Sequence, residues 1–162
     1  MKYPLEDLLK IKIHRFEKAV KLFEEKTDKF LKEKEKLFKL TQERDKILKH
    51  KNDKLNQLRE YLDRGEKTDK ILKTKSYLKI VKEKLKMHQE QVDSQQIILN
   101  KAEDELEQAK KNLFEKKKDV EKLNIHKTEW KKEIQKLEKK IESITLNEIG
   151  TSQFIIRKKE KQ

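Results

Sequence analysis

The sequence predicts an all-α fold in which two long helices form an antiparallel coiled-coil hairpin. Three observations lead there. The 162 residues are 46% charged and only 33% hydrophobic, against about 25% and 45–50% in an ordinary soluble domain, so a three-dimensional interior cannot be filled. The apolar residues nevertheless recur at heptad spacing over most of the chain. Finally, two glycines, one proline and no cysteine leave almost no turns and no disulfide framework.

The first helix is expected over about residues 5–63. Stepping by three and four from Leu9 through Ile13, Phe16, Val20, Phe23 and Phe30 to Leu55, Leu58 and Leu62 visits sixteen positions, eleven of them apolar. At 33% hydrophobic content, chance would supply about five, so periodicity overrides the disorder that such a charged composition otherwise favours. Leu22, Leu31, Phe38 and Ile47 flank this seam.

The second helix is expected over about residues 70–148. Its seam runs from Leu78, Val81 and Leu85 to Trp130, Ile134, Leu137, Ile141, Ile144 and Glu148, and sixteen of its twenty-one positions are apolar. A repeat of 3.5 residues implies left-handed supercoiling. The polar positions Lys34, Arg44, Lys51, Gln95, Lys116 and Lys127 interrupt the two seams and are expected to fix register.

The seams are out of phase, and Gly65 lies between them. Glycine ends helices because it enters the left-handed region without a Cβ clash. A bend is therefore placed at about 64–76, with Thr68 and Ser76 as candidate caps. Gly150 is read as a second stop, followed by a flexible tail over 149–162. Helices this long reach about 90–120 Å, and a short connection makes antiparallel pairing the natural burial of both stripes. With the bend centred near residue 70, facing residues add to about 140. That frame sets Trp130 against Leu9–Ile13 and His14 near His126, with His50 near His88.

Charge is distributed unevenly. The net charge is +13 overall: +4 over 5–63, +6 over 64–86, −1 over 87–148 and +3 over 149–162, with Lys2 adding the last. The cluster Lys67, Lys70, Lys73, Lys75, Lys79, Lys82, Lys84 and Lys86 near the bend suits an acidic protein surface, a phosphate backbone or anionic lipid. Aromatic interleaving is nearly absent there, so nucleic acid is not an expected partner. Without cysteine only His, Asp and Glu remain as zinc ligands, and His14 and His50 fall off the seam; no metal site or cofactor is expected. Two isolated glycines cannot build a phosphate loop, and no enzyme activity is expected. No run approaches the ~18–20 apolar residues of a membrane span, and the acidic start after Leu5 does not read as a secretory signal.

The opening Tyr3-Pro4-Leu5, the stretch Leu72-Lys73-Thr74-Lys75-Ser76-Tyr77-Leu78-Lys79-Ile80-Val81, Gly65 in the bend and His126-Lys127-Thr128-Glu129-Trp130 together resemble the YscO/FliJ group of type III secretion stalk proteins, and within it the YscO-like proteins of chlamydiae. The resemblance implies a non-enzymatic adaptor in the bacterial cytoplasm, peripheral to the inner-membrane export apparatus. Such an adaptor binds the export ATPase ring, promotes its assembly or turnover, and contacts the export gate or export chaperones. The expected partner-binding residues are Leu72, Lys73, Thr74, Lys75, Ser76, Tyr77 and Lys79. A monomer is expected, with only indirect membrane contact. The residues themselves also fit a generic coiled-coil scaffold or tether, or a binder of nucleic acid or anionic membrane through the basic bend.

Overall fold

In a computed structural model describing residues 2–159, two helices pack against each other as a helical hairpin, α1 (Glu6–Asp63) and α2 (Thr68–Lys159). Packing divides the chain into two units, one made of Met1–Val20 with Asn112–Gln162 and the other of Lys21–Lys111.

The helix ends follow from local chemistry. Glu6 and Asp7 place negative charge at the positive end of α1. At its other end Gly65 adopts φ +66°, the Glu66 amide donates to the Tyr61 carbonyl (3.0 Å) and the Gly65 amide to Leu62 (3.2 Å). This is a Schellman stop, and it satisfies carbonyls that α1 would otherwise leave bare. The Lys67 carbonyl then accepts from Lys70 (3.0 Å), so Lys67 sits at the start of α2 and Thr68 is its first helical residue. Neither Thr68 nor Ser76 is the cap. The connection spans 64–67 instead of 64–76, because one glycine completes the reversal.

This tight turn corrects the register. In the turn-bearing unit Lys26 pairs with Glu105 and Arg44 with Gln89; in the terminal unit Lys12 pairs with Asp119 and Glu6 with Lys127. Facing residues add to about 130, not 140. Trp130 accordingly meets Tyr3 and not Leu9–Ile13. His126 bonds Tyr3 and His14 stands beside Glu17 at 3.8 Å, so the expected pairing of those two histidines does not form.

The predicted seam of α1 holds at most of its positions: Leu9 is buried, and Phe16, Val20, Phe23, Phe30, Leu37, Leu55 and Leu58 are half-buried. Ile13, Lys34, Leu48 and Leu62 are exposed. Beside the seam, Ala19 is packed and Lys12, Lys26 and Glu33 reach across to α2. Ala19 permits close approach, and the three charged side chains find partners there. In α2 the predicted seam holds: Leu78, Val81, Gln95, Leu99, Ala102 and Ala109 are buried. The core is thin, since a two-helix seam leaves every apolar side chain an edge open to water.

In the terminal unit α1 begins opposite Lys127, yet α2 continues to Lys159. Residues 131–159 therefore have no stretch of α1 beside them. The helix also passes through Gly150, contrary to the stop predicted there. One glycine costs a helix interior only about 1 kcal/mol, and the good helix formers around it carry it through.

Candidate partner-binding surfaces

Of the seven residues expected to bind partners, Leu72 is 55% exposed, and Lys73, Lys75, Ser76 and Lys79 are also exposed. Thr74 turns its hydroxyl back to the Lys70 carbonyl at 2.9 Å, which removes it from recognition. The structure does not gather the seven into one patch. Lys75, Ser76 and Lys79 line a groove with Leu55, Leu58 and Lys82. Tyr77 lies in a different groove, its hydroxyl 3.0 Å from His50 Nε2 and its ring edge-on to the imidazole at 88°. A residue every 100° around a helix spreads a continuous sequence motif over all its sides. The bend motif is thus two surfaces, one basic and one mixed aromatic and basic.

The opening tripeptide and the His126–Trp130 segment do come together. Tyr3 is only 4% exposed. Its hydroxyl lies 2.7 Å from His126 Nδ1, and its ring meets Trp130 edge-on with centroids 5.5 Å apart. Lys127 Nζ sits 5.8 Å from the Tyr3 ring centroid and 2.6 Å from a Glu6 carboxylate oxygen. Edge-on ring, cation and ion pair clamp the start of α1 onto α2. Two sequence features separated by more than a hundred residues are one anchor.

Inter-helix polar pairs set the register of each unit. Glu105 accepts from both Lys26 (2.7 Å) and Lys29 (2.9 Å), and these hydrogen bonds hold its carboxyl down at about 2. A hydrogen bond from Lys12 (2.6 Å) lowers Asp119, and one from Lys127 lowers Glu6. Buried Gln95 donates to a Glu33 carboxylate oxygen at 2.6 Å; bonds from Lys36 first, then Gln95, lower Glu33. Of these, the sequence singled out only Gln95 and Lys127. Lys12, Lys26, Glu33, Glu105 and Asp119 were missed because they lie beside the apolar seam. The signal that finds them is opposite charge at positions adding to about 130, and it becomes readable only once the turn is known to be tight.

Past Trp130, α2 carries a bare apolar face. Leu137 is 53% exposed and Ile141 61%, and Ile144 and Ile155 lie on the same side. Among the described residues, no three His, Asp or Glu side chains converge as metal ligands, and no helix is long and apolar enough to cross a membrane.

The profile of the YscO-like family, described as YscO-like protein, matches residues 1–160. Among solved structures, the chain is similar to that described as a YscO homolog, CT670, from Chlamydia trachomatis. Identity is 40%, the match covers 100% of this chain and 99% of that one, and the TM-score is 0.88. No curated protein matches the chain.

Proposed function

The chain belongs to the YscO-like family, which is associated with type III secretion, and on that premise we propose that it is a non-enzymatic stalk and adaptor of the export ATPase. In this reading it acts in the bacterial cytoplasm at the export apparatus. It seats in the ATPase ring, promotes ring assembly or ATP turnover, and passes contact on to the export gate or to chaperones.

The observation that carries the reading is the exposed apolar stripe of α2 at Leu137, Ile141, Ile144 and Ile155, in the unit that holds both chain ends. A helix that keeps an apolar stripe but has no partner strand of its own chain beside it is built to be completed by another protein. A ring with an apolar lining supplies that cover. The exposed charge-rich remainder lets the protein bind without being locked to a single partner. The exposed lysines near the bend, Lys73 on one side of α2 and Lys75 and Lys79 on another, are left for the gate or a chaperone.

The test is to mix the protein with the cognate export ATPase and to measure hexamer formation and ATP turnover. The double variant L137D/I141D should keep its helicity, because both side chains are already exposed, and should lose stimulation. K73E/K75E should keep stimulation and weaken gate or chaperone binding. Loss of stimulation in K73E/K75E with retention in L137D/I141D would reverse the assignment of the two surfaces.

A further inference from the structure

The turn-bearing unit has a second unsatisfied surface. A groove of about 560 Å³ runs between α1 and α2, floored by Ile47, Ile80 and Met87 and flanked by Lys46, Lys84 and His50. Ile80 is 52% exposed and Met87 60%, and Tyr77, 44% exposed, closes one end. Ile80 and Met87 stand seven residues apart on one side of α2, about 10 Å along the helix. That is the repeat with which a third helix presents its own apolar stripe.

The charged side chains that line the groove are of one sign, with Glu83 outside the lining on the outer edge of α2. The lining includes two lysines and two histidines and no carboxylate. Along the arms acid and base pair instead, as in Lys36–Glu33 and Lys39–Glu35, and a second lysine-lined groove, at Lys75, Lys79 and Lys82, carries no histidine. A cationic rim around an apolar floor is complementary to an apolar stripe bordered by Asp and Glu. His88 lines the same groove, and its Nδ1 is buried without a hydrogen-bond partner. A polar side chain reaching it from a bound helix would supply the bond that this atom lacks. Methionine suits such a floor because its unbranched side chain repacks around different partners.

We propose that this groove is a docking site for an acidic amphipathic helix of another protein. The proposal deepens the adaptor reading by naming the chemistry of a partner, and it rests on that reading only in taking the partner to be a separate protein. A second copy of this chain is a poor occupant, since its net charge of +13 would bring like charge against the rim.

The probe is a synthetic helical peptide of about 18 residues, five turns, with leucines at i, i+3, i+4 and i+7 and glutamates on both flanks. Two controls accompany it: the same leucines flanked by lysine, and the same composition scrambled to destroy the stripe. Binding is read by calorimetry, and its location by the methyl resonance of Met87. The glutamate peptide should bind and shift Met87, and both controls should bind at least tenfold more weakly. K46E/K84E should weaken binding at least tenfold, whereas K75E/K79E, which makes the same charge change in the other groove, should leave it within twofold. Circular dichroism confirms that both variants remain helical.

Equal binding of the scrambled peptide would mean diffuse attraction to a basic rod and would overturn the proposal. So would an unshifted Met87, equal sensitivity to the two charge reversals, or self-association relieved by Ile80→Glu. Binding to vesicles of anionic lipid through Lys46 and Lys84, with no peptide binding, would assign the surface to a membrane instead. ATPase stimulation is measured separately, so failure here leaves the stalk reading standing, and failure there leaves this one.

Discussion

Removing the ring of Tyr3 tests the anchor on which the terminal unit depends. Tyr3 is 4% exposed and packs edge-on against Trp130. Burying about 150 Å² of apolar ring at ~25 cal/mol per Å² is worth roughly 3–4 kcal/mol, an upper figure because the unfolded chain already covers part of it. The hydroxyl bond to His126 adds about 1 kcal/mol. Tyr3 precedes α1, and its side chain packs on the His126–Trp130 stretch. The loss should therefore appear as fraying of the first turns of α1, with little change in the global melt. About 3 kcal/mol corresponds to roughly a hundredfold loss of amide protection over residues 9–13 in Tyr3→Ala. Tyr3→Phe should lose less than tenfold. Trp130 is the only tryptophan, so its emission reports directly and should move to the red in Tyr3→Ala. Unchanged emission together with unchanged protection would refute the anchor and the register drawn from it.

Other consequences follow from the same geometry. Gly65→Ala should destabilise by about 1 kcal/mol or more in thermal unfolding, because a Cβ at φ +66° is strained even though the space around it is open. Gly150→Ala, inside a helix with nothing near its Cβ, should raise local helicity and protection by up to about 1 kcal/mol. Glu105 titrates near 2 when folded, against a usual 4.5. Its contribution is complete above pH 4.5 and disappears as the pH falls toward 2, so acid should loosen the Lys26–Glu105 layer. In K26Q/K29Q the carboxyl carbon resonance of Glu105 should titrate close to 4.5; a midpoint still near 2 would show that the lysines are not the cause. Gln95→Leu removes the donor to Glu33 and places a branched apolar side chain in a polar layer. It should leave helicity intact while the inter-helix register, read by paired spin labels in the turn-bearing unit, becomes heterogeneous.

The sequence by itself determined the all-α class, the two helices and the point at which they part. Heptad periodicity survives any choice of partner, and Gly65 is the one residue between the seams that takes a positive φ without strain. It also placed the α2 seam correctly at Leu78, Val81, Gln95 and Leu99, because large apolar residues there repeat without competition. Family membership, too, was foreshadowed by short motifs at Tyr3–Leu5 and Leu72–Val81.

Register belonged to the tertiary structure. An error of five residues in the centre of a turn moves every facing pair by ten, and only the Schellman geometry at Gly65 decides that a four-residue connection is enough. From that register everything local follows: Tyr3 meets His126 and Trp130, Lys12 meets Asp119, and Glu33 meets Gln95. In either register Leu137, Ile141 and Ile144 lie beyond the start of α1 at Glu6. Their heptad spacing is indistinguishable in sequence from that of the covered seam, since periodicity records that a stripe can be buried and not which chain buries it. Likewise, seven consecutive-looking binding residues became two surfaces and one inward hydroxyl, because the helical rotation between neighbours is invisible until the packed side is fixed.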